Sequence, residues 1–179
     1  KKYHRTADFL VIEGPLAGGH LGFSREQLED IPSLDYDTEI QNIIALKQTY
    51  EEKYQTTIPV FVAGGMFTAE DATHVMELGA DGIQAATRFV ATEECDASDA
   101  YKQAYVNASD DDVIIIKSPV GMPGRAIHNA FLEETANHPG IHQKCLHCLE
   151  HCNQKTAPYC ITRALIAEVK GNVKEGLLY

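Results

Sequence analysis

The stretch from 58 to 87, IPVFVAGGMFTAEDATHVMELGADGIQAAT, most constrains the fold because an amphipathic segment separates two apolar runs. Thr68 and Asp71, three residues apart, match a capping box, so we expect a helix to begin there. Apolar residues then recur at helical spacing as far as Gly79, a residue that suits a helix end. The stretch therefore predicts one βαβ unit with parallel strands and a right-handed crossover.

The rest of the chain adds one more strand and more helices. We expect a strand over Ala7 to Ile12 and helices over 38–54, 98–108 and 159–170. Continuous apolar strands that alternate with helices predict an α/β fold with a parallel sheet. Three such strands cannot close a barrel. Two architectures therefore remain, the C-terminal portion (about three βα units) of a TIM (β/α)8 barrel or a small open sheet.

The composition changes near Pro139, which predicts a boundary between a barrel portion, 1–138, and a small cysteine-rich helical tail, 139–179. The chain has no initiator methionine, and its first apolar strand begins almost at once. We therefore expect it to start inside a larger protein.

Charge and cysteine usage narrow the class of partner. A net charge of −11 and a pI of about 5.1 count against a nucleic-acid partner. No apolar run approaches the roughly 20 residues of a membrane helix. Five cysteines without secretory features indicate a reducing, cytoplasmic setting, with thiols or metal ligands rather than disulfides. A small-molecule partner is expected, and a homo-oligomer is left open.

Small residues follow each predicted strand, at the ends where parallel α/β folds bind ligands. Glycine and alanine let backbone amides approach an anion closely, and a threonine hydroxyl adds a donor. The alternative is that the double glycines only make tight turns. We predict that these strand ends hold a phosphate, and the candidate cofactor-binding residues are Gly18, Gly19, Gly64, Gly65, Gln84, Ala85, Ala86 and Thr87.

His20 follows two glycines after the first strand, where its imidazole is placed to serve a bound ligand. Histidine suits proton transfer near neutral pH, so we take His20 as the candidate catalytic residue. The alternative is a solvent-facing loop histidine. Lys117 and Arg125 either meet an anionic ligand or belong to a solvated turn.

The tail contains CLHCLEHCNQKTAPYC, a C-x2-C-x3-C-x7-C array. Thiolates at such short spacing can converge on a 4Fe-4S cluster or, alternatively, a zinc ion with His147 or His151 substituting for a thiolate. A helical stretch over 146–151 would place two of the cysteines on one face. Reduced, partly buried thiols are the other interpretation. The candidate ligands are Cys145, Cys148, Cys152 and Cys160, whereas Cys95 has no assigned role.

Three segments, ADFLVIEGPLAGGHLG, the stretch from 58 to 92 and KSPVGMPGRAIHNAF, resemble the last three βα units of the nitronate monooxygenase family. That family, once called 2-nitropropane dioxygenases, includes FMN-dependent enoyl-acyl-carrier-protein reductases. The resemblance implies a TIM barrel that binds FMN without a covalent bond. The chain would then begin near the sixth strand and lack the N-terminal half of the barrel.

The same resemblance implies that the flavin phosphate lies on Gly64-Gly65 and on 85–87, with His20 beside the isoalloxazine ring. Two positions depart from the usual family pattern. Leu16 stands where relatives usually have a glutamate, and Ala85-Ala86 stand where they usually have Met-Gly. The first departure leaves the substrate open.

The resemblance implies an FMN-dependent oxidoreductase with one of two reactions. It oxidises an alkyl nitronate with O₂, or it reduces an activated alkene such as an enoyl thioester with NAD(P)H. Two further hypotheses stay open. The chain alone is a non-catalytic barrel fragment, or it is a βα-barrel that binds another phosphorylated ligand, a sugar phosphate or a nucleotide.

Overall fold

Two units make up the chain in the computed structural model, which describes residues 5–140, 145–150 and 152–179. The first unit comprises Lys1–Ala17 and Glu29–Arg88, and the second comprises Gly18–Leu28 and Phe89–Tyr179. The boundary near residue 139 is a different division of the chain, and it stays a prediction.

Six strands, seven α-helices and two short 3₁₀ helices are formed by the described residues. The strands are β1 Leu10–Glu13, β2 Gly19–His20, β3 Val60–Ala63, β4 Gly82–Gln84, β5 Val113–Lys117 and β6 Pro123–Ile127. The α-helices are α1 Arg25–Glu29, α2 Tyr36–Tyr54, α3 Ala69–Glu77, α4 Thr87–Val90, α5 Asp99–Asn107, α6 Ala130–Asn137 and α7 Ile161–Val169. The 3₁₀ helices are Ile31–Ser33 and Asp110–Asp112.

The first unit contains a parallel sheet in the order β1-β3-β4. Ala63 lies opposite Glu13 on one side and opposite Gln84 on the other, and each of the three is the last residue of its strand. The three strands therefore end at the same edge of the sheet. This pairing confirms the predicted βαβ unit and its parallel strands.

Local signals explain the helices of the first unit. The Thr68 side chain accepts a hydrogen bond from the Asp71 amide, and the Asp71 carboxylate accepts one from the Thr68 amide, so the predicted capping box is present. Asp35 caps α2 by accepting from the Thr38 amide, and Gln55 ends that helix in the left-handed conformation. The core between these helices and the sheet consists of Ile12, Ile40, Ile44, Val60, Val62, Val75 and Ala80.

The strands of the first unit are shorter than predicted. The structure begins β1 at Leu10 rather than at residue 7, and β3 at Val60 rather than at residue 58. The Ile58 amide donates to the Glu51 carboxylate at 2.7 Å, and Pro59 has no amide hydrogen, so neither residue donates to β1. The Pro59 carbonyl accepts from the Leu10 amide at 2.8 Å, and regular pairing begins with the next residue, Val60. The third strand ends at Gln84, which leaves the next three residues outside the sheet.

The second unit contains an antiparallel sheet in the order β2-β6-β5. The alternative of a solvated turn around Lys117 and Arg125 is wrong for Arg125, because Pro123 begins the central strand of this sheet and Arg125 lies within it. A first strand position tolerates proline because that residue need not donate a ladder hydrogen bond. The core of this unit consists of Ala126, Leu132, Tyr159, Ile161, Ala164 and Leu177.

The tail confirms one helix and corrects another expectation. Helix α7 lies within the predicted 159–170, but residues 146–150 are not helical, and His151 lies outside the described residues. Over the described ranges, no helix has the length and apolar character needed to cross a membrane.

Candidate functional site

The loops after β1, β3 and β4 begin at one edge of the parallel sheet and carry the predicted phosphate residues of the first unit. Gly64 and Gly65 follow β3, Gln84 ends β4, and Ala85 and Ala86 lead to the first residue of α4. The pairing of Ala63 with Gln84 places the two loops side by side. The structure therefore brings Gly64-Gly65 and 84–87 together, whereas Gly18, Gly19 and His20 belong to the second unit.

Gly64 and Gly65 have positive φ angles, a backbone conformation that favours glycine over other residues. Gly64 has φ +85°, and a Cβ there would lie 2.9 Å from the Gly14 carbonyl oxygen and 3.0 Å from the Ala17 nitrogen. Gly65 has φ +83°, and a Cβ there would lie 3.0 Å from Leu16 Cδ1. Gly64 therefore lets two loop backbones pack closely, and Gly65 lies against a movable side chain.

The amides at the N-terminus of α3 are already bonded to a side-chain carboxylate of the same helix. The Asp71 carboxylate accepts hydrogen bonds from the amides of Phe67 and Thr68, at 3.0 and 2.7 Å. Those bonds, the one from Thr68 first, lower the pKa of Asp71. Because these amides are engaged, the candidate phosphate donors of this loop are the amides of Gly64 and Gly65.

Arg88 is a residue that the sequence reasoning missed. Its guanidinium carbon lies 4.8 Å from the centre of the Phe67 ring, a cation–π contact between the loop after β3 and the start of α4. The contact fixes a positive charge at the edge of the sheet where the two loops meet. The signal available in the sequence was its position, directly after Thr87.

Tyr36, the first residue of α2, packs on the end of β1. A Cβ at Gly14 would lie 2.9 Å from Tyr36 Cε1. The Tyr36 hydroxyl is buried and has no hydrogen-bond partner among the described residues. Desolvation, followed by the charge of Glu13, raises the pKa of Tyr36 to about 12.

His20 lies in the second unit within a cluster of hydroxyl groups. Its Nε2 atom is 2.6 Å from Ser118 Oγ and 2.9 Å from the Tyr179 hydroxyl. The Tyr179 ring meets the imidazole edge-on, with ring centroids 5.0 Å apart. Ser118 is buried, and its Oγ also accepts the Val120 amide at 3.4 Å, so its own hydrogen is available to Nε2.

Either partner can be the donor in the two contacts of Nε2, so the direction of these hydrogen bonds depends on the tautomer of His20. In the neutral tautomer whose Nε2 accepts from a hydroxyl, the ring hydrogen is on Nδ1. Burial lowers the pKa of His20 through desolvation of the charged form. The lowered pKa favours the neutral ring at pH 7, and Nε2 is its basic atom when the hydrogen is on Nδ1.

The family of the chain follows from a match to a family sequence model. The sequence model of the family described as Nitronate monooxygenase matches residues 2–179. The chain belongs to this family. It is 29% identical over 133 residues to a probable nitronate monooxygenase of Staphylococcus aureus (strain Newman). That match covers 74% of this chain and 35% of the relative, so the chain spans about a third of the length of the curated relatives it matches.

Solved structures give the fold class of this nitronate monooxygenase family member. FabK from Thermotoga maritima has a TM-score of 0.59 and 23% identity, over 96% of this chain and 47% of that one. Nitroalkane oxidase from Streptomyces ansochromogenes has a TM-score of 0.57 and 24% identity, over 97% of this chain and 45% of that one. These matches confirm the predicted fold class, a portion of a TIM barrel.

The remaining predicted residues of this family member are in the second unit. Lys117 is exposed, whereas Arg125 is partly buried, and desolvation lowers the pKa of its guanidinium. Among residues 5–140, 145–150 and 152–179, no group of three His, Cys, Asp or Glu side chains is placed to hold a metal ion. Desolvation, followed by the charges of the other three tail cysteines, raises the pKa of Cys152.

Proposed function

We propose that this chain is part of an FMN-dependent oxidoreductase, and that the loops after β3 and β4 hold the phosphate of the flavin. The observation that carries the proposal is the pairing of two parallel strand ends, Ala63 with Gln84, each followed by small residues. Membership of the nitronate monooxygenase family supports the choice of FMN over other phosphorylated ligands.

The residues present fit a phosphate group. Gly64 and Gly65 have positive φ angles and no side chain, so their amides can face a ligand that a Cβ would exclude. Ala85 and Ala86 leave little side-chain bulk on the neighbouring loop. The Arg88 guanidinium supplies a positive charge at the same edge of the sheet.

Bound FMN supplies the redox chemistry, and the residues of this chain bind it and handle protons. When FMN is bound, the amides of Gly64, Gly65, Ala85 and Ala86 would donate to the phosphate oxygens, and the Thr87 hydroxyl would add one more donor. Gly18 and Gly19 are assigned to the same cofactor through the family resemblance.

His20 is the proposed catalytic residue. Its neutral ring accepts a proton at Nε2 or uses that atom to orient the substrate, while Ser118 holds the ring in place. Ser118 is thus a positioning residue. Its hydroxyl stabilises the neutral imidazole, so its removal would alter the pH dependence of the reaction as well as the rate.

We propose oxidation of an alkyl nitronate with O₂ as the reaction, because the curated relatives carry the name nitronate monooxygenase. Reduction of an activated alkene with NAD(P)H is the second candidate, because an enoyl reductase domain is among the structural neighbours. Steady-state assays with propyl-2-nitronate and with an enoyl thioester plus NAD(P)H separate the two. Turnover of the nitronate alone supports the first reaction, and NAD(P)H-dependent loss of the enoyl group supports the second.

The identity of the cofactor has its own experiment. The protein with its whole natural chain is purified, denatured, and the released small molecules are identified by mass spectrometry. FMN in an amount equal to the protein supports the proposal. Release of a sugar phosphate or another nucleotide would instead support a βα-barrel that binds a different phosphorylated ligand. If no ligand is released, even after incubation with FMN, the result would favour a non-catalytic chain.

A further inference from the structure

We propose that Cys145, Cys148, Cys152 and Cys160 bind a 4Fe-4S cluster in the second unit. The proposal is independent of the flavin site, because the residues and the measured metal differ from those of the proposed function. Four thiols occur within 16 residues of the tail, in a segment of the chain that no part of the proposed reaction uses.

The fold brings together cysteines that the sequence separates. The Thr162 hydroxyl, in the first turn of α7, donates to Cys148 Sγ at 2.8 Å. Cys160 directly precedes the same helix. The hydrogen bond therefore fixes the loop of the first cysteines against the helix start that carries the last one.

The third cysteine follows Cys148 closely along the chain, and its amide donates to the Leu149 carbonyl oxygen at 3.4 Å. The side chain of Cys152 is partly buried, like those of Cys145 and Cys160. Thiolates bind iron once deprotonated, so a cluster of iron ions is a group that such an array can hold.

Hydrogen-bond donors are directed at two of the sulfurs. Besides the Thr162 hydroxyl, the His147 amide donates to Cys145 Sγ at 3.3 Å. Donors to sulfur stabilise thiolate ligands and tune the potential of clusters. Cys160 precedes α7 without a side-chain capping bond in the described structure, and the start of a helix also favours a thiolate.

The spacing favours a cluster over a zinc ion. Zinc sites pair cysteines two to four residues apart, whereas Cys152 and Cys160 are separated by seven residues. One tetrahedral zinc with bonds of about 2.3 Å requires its sulfurs to lie within about 4 Å of each other. Within the described ranges no three candidate ligands are grouped to hold a single ion. A cubane holds its thiolates further apart because four iron atoms stand between them.

The test is metal analysis of the protein with its whole natural chain, purified without oxygen. About four iron atoms and an equal amount of acid-labile sulfide per chain are expected, with visible absorbance that bleaches on reduction. One zinc per chain would overturn the proposal. Four titratable tail thiols with no metal, even after anaerobic incubation with iron and sulfide, would overturn it as well.

Variants locate the cluster and separate it from the flavin. Cys148→Ser and Cys152→Ser are expected to lose most of the iron, whereas the matched control Cys95→Ser keeps it. Thr162→Val is expected to keep the iron but to shift the reduction potential to a more negative value, because a donor to a thiolate ligand is lost. Flavin content is measured on the same samples, so failure of one site is distinguishable from failure of the other. Equal iron in all cysteine variants would contradict the assignment.

Discussion

Replacing Gly65 with alanine tests whether the loop after β3 holds a phosphate group. Gly65 has φ +83°, and an alanine in the left-handed region costs about 1–2 kcal/mol. The new Cβ would lie 3.0 Å from Leu16 Cδ1, but Leu16 is 56% exposed and its side chain can move. We therefore expect Gly65→Ala to fold, with a free energy of unfolding lower by about 1–2 kcal/mol.

The larger effect of Gly65→Ala should be on FMN. Relaxing φ turns the adjacent amide away from the ligand, and a hydrogen bond to a charged group contributes about 1.5–3 kcal/mol. The expected result is a dissociation constant for FMN about 10- to 100-fold higher, measured by fluorescence titration of protein stripped of flavin. Urea unfolding of the same samples gives the loss of stability.

Gly121→Ala is the matched control for the backbone cost. Gly121 has φ +87°, and a Cβ there would meet no other described atom within 4 Å. Its loss of stability should match that of Gly65→Ala, with unchanged FMN affinity. Gly64→Ala is the contrast, because its Cβ would meet the Gly14 and Ala17 backbones, and it should destabilise more than either. If Gly65→Ala and Gly121→Ala bind FMN equally well, the assignment of the Gly65 amide is wrong.

Three further results are expected. Arg88→Gln should weaken FMN binding by about 1 kcal/mol, roughly fivefold, and the effect should be smaller at high salt. Arg88→Lys keeps the charge and should keep most of the affinity. Equal FMN affinity in the wild type and both variants would rule out a role for the charge. Tyr36→Phe should raise the free energy of unfolding, measured by urea unfolding, by about 1 kcal/mol, because it removes a buried hydroxyl without a partner in the described structure. A loss of stability would show that the hydroxyl is hydrogen-bonded. Because burial lowers the pKa of His20 below 6.5, its contribution to stability is complete above pH 6.5 and is lost as the pH falls through the lower folded value. His20→Gln should therefore lose less stability than the wild type between pH 7 and pH 5, and identical slopes in urea unfolding would contradict this.

The first unit shows how much of a fold local signals determine. The capping box at Thr68 and Asp71 and the apolar runs around it predicted both strands and the helix between them. The strand bounds were missed because they depend on hydrogen bonds from distant residues. The Ile58 amide, for example, bonds to Glu51 rather than to a neighbouring strand.

The second unit shows where local signals fail. A sequence rich in glycine and proline predicts a turn, but β6 pairs with strands on both sides, and Pro123 is tolerated at its first position. No local pattern marks Ser118 and Tyr179 as partners of His20, because they are 98 and 159 residues away along the chain. Such contacts arise from tertiary packing, so composition and periodicity do not indicate them.

The candidate phosphate residues were predictable for a physical reason. Backbone amides can approach a ligand closely only where side chains are small. This requirement restricts the residue type, so it is visible in the sequence as Gly64-Gly65 and Ala85-Ala86. Arg88 was missed because its position directly after Thr87 was the only signal that the sequence offered. Its contact with the Phe67 ring depends on tertiary packing, which local patterns do not indicate.

The affinity of flavin-free protein for FMN compared with riboflavin tests the central claim most directly, because the two ligands differ only in the phosphate. If the loops after β3 and β4 grip that group through several amides, FMN should bind at least about 3 kcal/mol more tightly, roughly 100-fold. Equal affinity for the two flavins, or no binding of either, would contradict the account.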